Sequence, residues 1–198
     1  MKNEHAIVAL SLCALCGQGL ADIFGDESSF LEQVDVVYTN TFGGLEIGTA
    51  STLDFSSGEY SYTVSAAGPG GGMLSVRDGE ISTTNGLDGI LITFTGADVH
   101  AVGGNLWATT QEGADIGGYI SLELDDGTYE LFSATSRENF RGMSSESAIQ
   151  SIFIDLPDGE GVIWASMDSL MIGQVPSPGA LGLLSVAGIG ASRRRRNR

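Results

Sequence analysis

This sequence predicts an all-β fold, an antiparallel β-sandwich or jelly roll, on three observations. Apolar and polar residues alternate in short runs, turn residues separate those runs at intervals of roughly 8–12 residues, and no long segment carries its apolar positions at helical period. The 29 glycines are spread along the chain, where tight turns need positive-φ positions. A closed barrel would show the same periodicity. A parallel β-helix would need a fixed repeat, and none is present.

Taken in order, Asp26 to Val34 predicts one short helix, with Asp26 or Ser28 as N-cap. In Glu59 to Ser65, Tyr60, Tyr62 and Val64 face one way and Ser61 and Thr63 the other. Gly68-Pro69-Gly70-Gly71-Gly72 is a loop no strand would tolerate, and it sits within one domain because neither side has enough strands for a core. Ile90 to Thr95 points Ile90, Ile92 and Phe94 inward. Tyr119 to Leu124 and Thr128 to Phe132 flank Asp125-Asp126-Gly127 and read as a hairpin. Ser151 to Leu156 places Ile152, Ile154 and Leu156 on an inner face, and Val162 to Ala165 and Ser169 to Ile172 read as the last two strands.

The two ends differ from this middle. Residues 1–21 have the form of a signal peptide: Lys2, an apolar run from Ala6 to Cys16, and Gly19-Leu20-Ala21 before an expected cleavage. Both cysteines, Cys13 and Cys16, fall inside that segment, so the expected mature chain has no thiol. Bulky Leu15 beside Cys16 argues against a lipoprotein signal. Of 25 acidic residues only Glu4 lies outside Asp22 to Val175, and of nine basic residues only Arg77, Arg137 and Arg141 lie within it. The middle therefore carries 24 acids against 3 bases, a formal charge of −21. Nucleic acid is excluded as a partner, because phosphate contacts need a basic footprint.

No nucleophile–base set stands out, and no catalytic residue is assigned. His100 is the one histidine after the signal segment and reads as an outward strand residue between Val99 and Ala101. Asp125, Asp126, Asp155 and Asp158 are turn residues first and weak calcium candidates second, without EF-hand spacing. Trp107 and Trp164 are the glycan-stacking candidates, against core packing within their alternating segments. No Asn-x-Ser/Thr sequon occurs.

At the C-terminus, Val175-Pro176-Ser177-Pro178 precedes an apolar run, Gly179 to Ala191, and then Arg193, Arg194, Arg195 and Arg196. Val175 to Ser192 is 18 residues, short but within the range that crosses a bilayer as a helix. Arginines beyond it are expected to stop transfer and stay cytoplasmic, with the acidic domain outside. Motif, helix and arginine cluster together resemble the PEP-CTERM sorting tail of exported bacterial proteins, with Ser177 where the family pattern has glutamate. Weaker similarity to the β-rich ectodomains that precede such tails extends over Ala101 to Asn105, Phe140-Arg141-Gly142 and Asp168-Ser169-Leu170.

The resemblance implies export through signal peptidase, a membrane-held intermediate, processing near Pro176 to Pro178 by an exosortase, and delivery to the cell surface or extracellular polysaccharide matrix. The organisation expected is signal peptide 1–21, ectodomain 22–173 and sorting tail 174–198. A non-enzymatic structural or adhesive ectodomain without cofactor is the first expectation. A carbohydrate-binding module, with calcium assisting, is the second. A jelly-roll glycoside hydrolase or lyase, which would need converging acids or a base with His100, is the third.

Overall fold

The structure, a computed structural model, describes residues 21–157 and 163–176. The signal segment up to Leu20, Asp158, and the tail from Ser177 onward, including Pro178 and Arg193 to Arg196, lie outside the described residues. Among the described residues, no helix is long and apolar enough to cross a membrane.

In chain order the elements are β1 (Asp22–Phe24), α1 (Glu27–Gln33), β2 (Asp35–Asn40), β3 (Gly48–Ala50), β4 (Thr52–Ser57), β5 (Tyr60–Ala67), β6 (Leu74–Arg77) and β7 (Glu80–Thr83). There follow β8 (Gly89–Phe94), β9 (Ala101–Thr109), β10 (Asp115–Ile116), β11 (Gly118–Leu124), β12 (Tyr129–Ala134), β13 (Phe140–Ser144), β14 (Ser151–Asp155) and β15 (Trp164–Gln174). They form two antiparallel sheets. The larger runs β1-β13-β9-β15-β7-β6-β3, with β10 on β9 and β2 on β15; the smaller runs β12-β11-β14-β8-β5-β4. No strand of one sheet pairs with a strand of the other, so the described residues form a two-sheet, sandwich-like fold.

One apolar core lies between the sheets. Val64, Ile90, Ile92, Ile120, Leu122, Ile152 and Ile154 from the smaller sheet meet Leu74, Ile81, Val102, Leu106, Met143, Met167, Leu170 and Ile172 from the larger. Apart from the break between Met167 and Leu170, the residues of each strand sit at every second position, which is the alternation the sequence shows. A gap of about 10 Å³ lies between the sheets beside Ile92, Leu122, Met143 and Leu170, room for one water at most.

The turns follow their local chemistry. Asp78 and Gly79 both have positive φ, 40° and 80°, as a two-residue hairpin between β6 and β7 requires. The β11–β12 turn closes with Gly127 N–H on the Leu124 carbonyl and Leu124 N–H on the Thr128 carbonyl, with Gly127 at φ 84°. Helix α1 starts at the N-cap Asp26, which accepts from Ser29 N–H at 2.9 Å. The hydroxyls of Ser28 and Ser29 and that amide hold the Asp26 carboxyl down to about 2. Phe30 of α1 packs with Phe24 and Phe140 on the outer side of the larger sheet, where Gly103 and Gly142 leave room for the rings.

The expected pair of final strands is one strand, β15. Asp168 is an extra residue between Met167, opposite Leu106, and Ser169, opposite Asn105. The bulge shifts the phase, so Ala165 and Met167 face inward before it and Leu170 and Ile172 after it. A pattern reader meets that shift as a strand boundary.

His100 is also displaced from its expected setting. It precedes β9, half-buried, with Nδ1 3.2 Å from the Ser145 carbonyl and its N–H on the Gly173 carbonyl.

Candidate functional site

The outer side of the larger sheet gathers most of the buried polar groups. Asn105, Trp107 and Thr109 alternate with the inward Leu106 and Ala108, and register places Ser166 opposite Trp107 and Ser82 opposite Ser166. Thr109 and Ser166 hydroxyls lie 2.8 Å apart, fully buried. Asn105 Nδ2 donates to Asp168 Oδ1 at 3.1 Å, so the bulge residue is tied to the neighbouring strand.

Glu80 lies on the same side, nearly buried, and accepts from Arg137 at 3.1 Å; Arg137 also reaches Asp115 at 3.4 Å. Burial pushes the Glu80 carboxyl above the usual range, against the pull of Arg137 and Ser166. The Arg137 guanidinium carbon lies 5.1 Å from the centre of the Trp107 ring. This cluster has an acid of raised affinity for protons, but its polar atoms are turned on one another.

All three arginines of the acidic domain fasten one segment to another. Arg77 donates to the Gln111 carbonyl at 3.1 Å, holding the β9–β10 turn. Arg137 links the β12–β13 turn to β7 and β10. Arg141 donates to the Gly25 carbonyl at 2.9 Å, faces Glu130 at 3.3 Å and stacks over Phe132 at 4.4 Å. Burial raises the Glu130 carboxyl, and Arg141 opposes that shift.

The glycine loop between β5 and β6 is organised by a carboxylate. Asp88 is buried and accepts from Gly70 N–H at 2.8 Å, Gly72 N–H at 2.5 Å and Asn85 Nδ2 at 2.8 Å. Burial works to raise the Asp88 carboxyl, but the bonds from Asn85, Gly72, Gly70 and Gly71 together hold it below its ordinary value. A Cβ at Gly70 would strike Asn85, and one at Gly72 would strike Asn85 and Asp88.

An open cleft of about 350 Å³ separates the start of α1 from the β12–β13 turn. Gly25, Asp26, Glu27, Asn105, Glu138, Asn139 and Phe140 line it. Asp26 is engaged as the helix cap, and Asn139 Oδ1 accepts from Thr135 and Ser136 N–H. Glu27 and Glu138 give the cleft a negative lining that disfavours anions.

The predicted residues do not converge. Asp125 Oδ1 accepts from Gln150 N–H at 2.7 Å and Ser151 N–H at 3.2 Å, and Asp126 Oδ1 from Thr128 N–H at 2.8 Å. Asp155 sits in β14 opposite Ser121. Among the described residues, no three His, Cys, Asp or Glu are grouped to hold a metal ion. Trp107 is 0 % exposed and Trp164 9 %, so neither presents a face to a sugar, and both indole N–H groups are buried without a partner. Their burial fits the packing alternative and leaves the stacking alternative without an exposed ring. Val175 and Pro176 are exposed and follow β15 directly.

Sequence reasoning missed the aromatic surface that does face solvent. Tyr119, Tyr129 and Leu131 are 55 %, 51 % and 50 % exposed, on the outer side of β11 and β12. The alternation carried the signal, since Tyr119 opposes the inward Ile120 and Leu131 the inward Phe132.

No protein-family model matches this chain, and no curated protein matches it in sequence.

Proposed function

We propose that this chain is an exported surface or matrix protein, delivered through an exosortase-type sorting tail, with a jelly-roll-like ectodomain that scaffolds or adheres rather than catalyses. One observation carries the reading best. β15 ends at Gln174, and Val175 and Pro176 leave the fold exposed, so the Val175 to Pro178 motif begins where the domain stops. A protease reaching Val175 and Pro176 meets exposed residues beyond the last strand. The −21 charge and the thiol-free domain suit an oxidising, solvated destination.

Pro176→Ala with Pro178→Ala, expressed in the native host, is expected to leave a larger, membrane-retained form. Unchanged processing and release of that variant would overturn the sorting reading.

A glycan-binding ectodomain is the second reading, and the exposed Tyr119 and Tyr129 favour it in place of the buried tryptophans. A glycan array of the exported chain, with and without a calcium chelator, tests it. Absence of binding in both conditions removes it.

A further inference from the structure

β12 ends the smaller sheet, and among the described residues no strand pairs with its far side. Bonding from Leu124 to Thr128 sets the phase of the β11–β12 ladder. From there Glu130, Phe132 and Ala134 bond toward β11, while the N–H and C=O groups of Tyr129, Leu131 and Ser133 point outward. Such a row is satisfied in full only by another extended strand.

Its side chains narrow the choice of strand. β2 and β4 are also six residues long with an unpaired side, but they carry exposed Asp35 and Asp54. On β12 the only charge is Glu130, and Arg141 faces it at 3.3 Å. In a domain of charge −21, that is the long edge on which two copies can meet without setting unpaired carboxylates together. β12 has no lysine, proline or bulge, and its one inward charge, Glu130, is already matched by Arg141.

We propose that β12 is a homotypic pairing edge, on which a second copy of this chain docks antiparallel about a twofold axis at Leu131. Leu131 then meets Leu131 of the second copy, and Tyr129 meets its Ser133. Every outward backbone group of the three residues finds a partner, about six bonds in all. The outward Tyr129 and Leu131 of both copies form one continuous apolar strip, and the smaller sheet runs through both molecules. This edge is independent of how the tail is processed.

Cross-linking tests the register. In the exported chain, with Cys13 and Cys16 replaced by serine, Leu131→Cys brings two thiols to a Cα separation of about 5.5 Å, within disulfide reach. A mild oxidant is expected to convert most of that variant to a covalent dimer, and to leave Ser56→Cys on β4 monomeric. Adding Ser133→Pro removes an outward N–H without breaking a bond to β11, and is expected to abolish the cross-link. Sedimentation of the unmodified chain should show association strengthening about tenfold or more between low and high salt, as screening relieves repulsion. A monomeric Leu131→Cys chain, equal cross-linking at Ser56→Cys, or a cross-link that survives Ser133→Pro would overturn the proposal. So would backbone amides at 129, 131 and 133 protected from hydrogen exchange at every concentration, which would place a segment of the same chain on the edge.

Discussion

The outer faces of the two sheets are both built from antiparallel strands and end in opposite states. The larger sheet's outer face is covered by α1, by the β12–β13 turn under Arg137 and by the β9–β10 turn under Arg77. Trp107 and the Thr109–Ser166 pair are sealed beneath them. The smaller sheet's outer face has no such cover among the described residues, and Tyr119, Tyr129 and Leu131 stand open. Two of the domain's three arginines, Arg77 and Arg137, hold covers on the closed face.

The contrast is broken most sharply at Trp107. Trp107→Ala is expected to cost about 3–5 kcal/mol, because it empties a large buried site and removes the surface under Arg137. Chemical denaturation checks it, and a loss below about 1 kcal/mol would mean the covered face is loosely packed.

Asp88→Ala comes next, at about 2 kcal/mol, since it leaves the Gly70 and Gly72 amides without their acceptor. The Asp88 carboxyl is held below its unfolded value, so its contribution is complete above the ordinary aspartate range and lost as pH falls through the folded value. An acid-unfolding series is therefore expected to show the variant and the parent converging at low pH.

Arg137→Gln is expected to cost about 1 kcal/mol at neutral pH, discounted because the guanidinium is partly exposed. The loss falls at low pH as it does at Asp88, although the Glu80 carboxyl itself is shifted the other way. Glu80 holds its proton above the unfolded range, so the cost of ionising it grows as pH rises through the folded value. Thermal melts at pH 4 and pH 7 should show the Arg137→Gln loss mainly at pH 7.

Tyr119→Ser is the smallest effect, within about 0.5 kcal/mol, because the side chain is exposed in an uncovered strand. A large loss there would mean that the smaller sheet's face is covered after all.

Much of this architecture is legible in the sequence, for a stated reason. Ile90, Ile92 and Phe94, or Ile152 and Ile154, can alternate in one way only if one side of the strand is core. The Asp-Gly turns announce themselves by the positive φ they require. β15 was legible only in halves, because the extra residue at Asp168 changes the inward phase in mid-strand.

Trp107 and Trp164 leave two settings open in the sequence for a different reason. Alternation tells which side of a sheet a residue takes, not whether a distant turn covers that side. The turn over Trp107 is held by Arg137, thirty positions further on, in contact with Glu80 of a third segment. The same long-range pairing hides the roles of Arg77 and Arg141, whose partners Gln111 and Gly25 are visible only once the chain is folded.

Residue-resolved oxidative surface labelling of the folded, exported chain measures the two faces directly. Tyr119, Tyr129 and Leu131 are expected to react rapidly in the monomer, while Trp107 and Trp164, intrinsically among the most reactive side chains, stay protected. Rapid labelling of Trp107 with protection of Tyr119 would contradict the assignment of one closed and one open face.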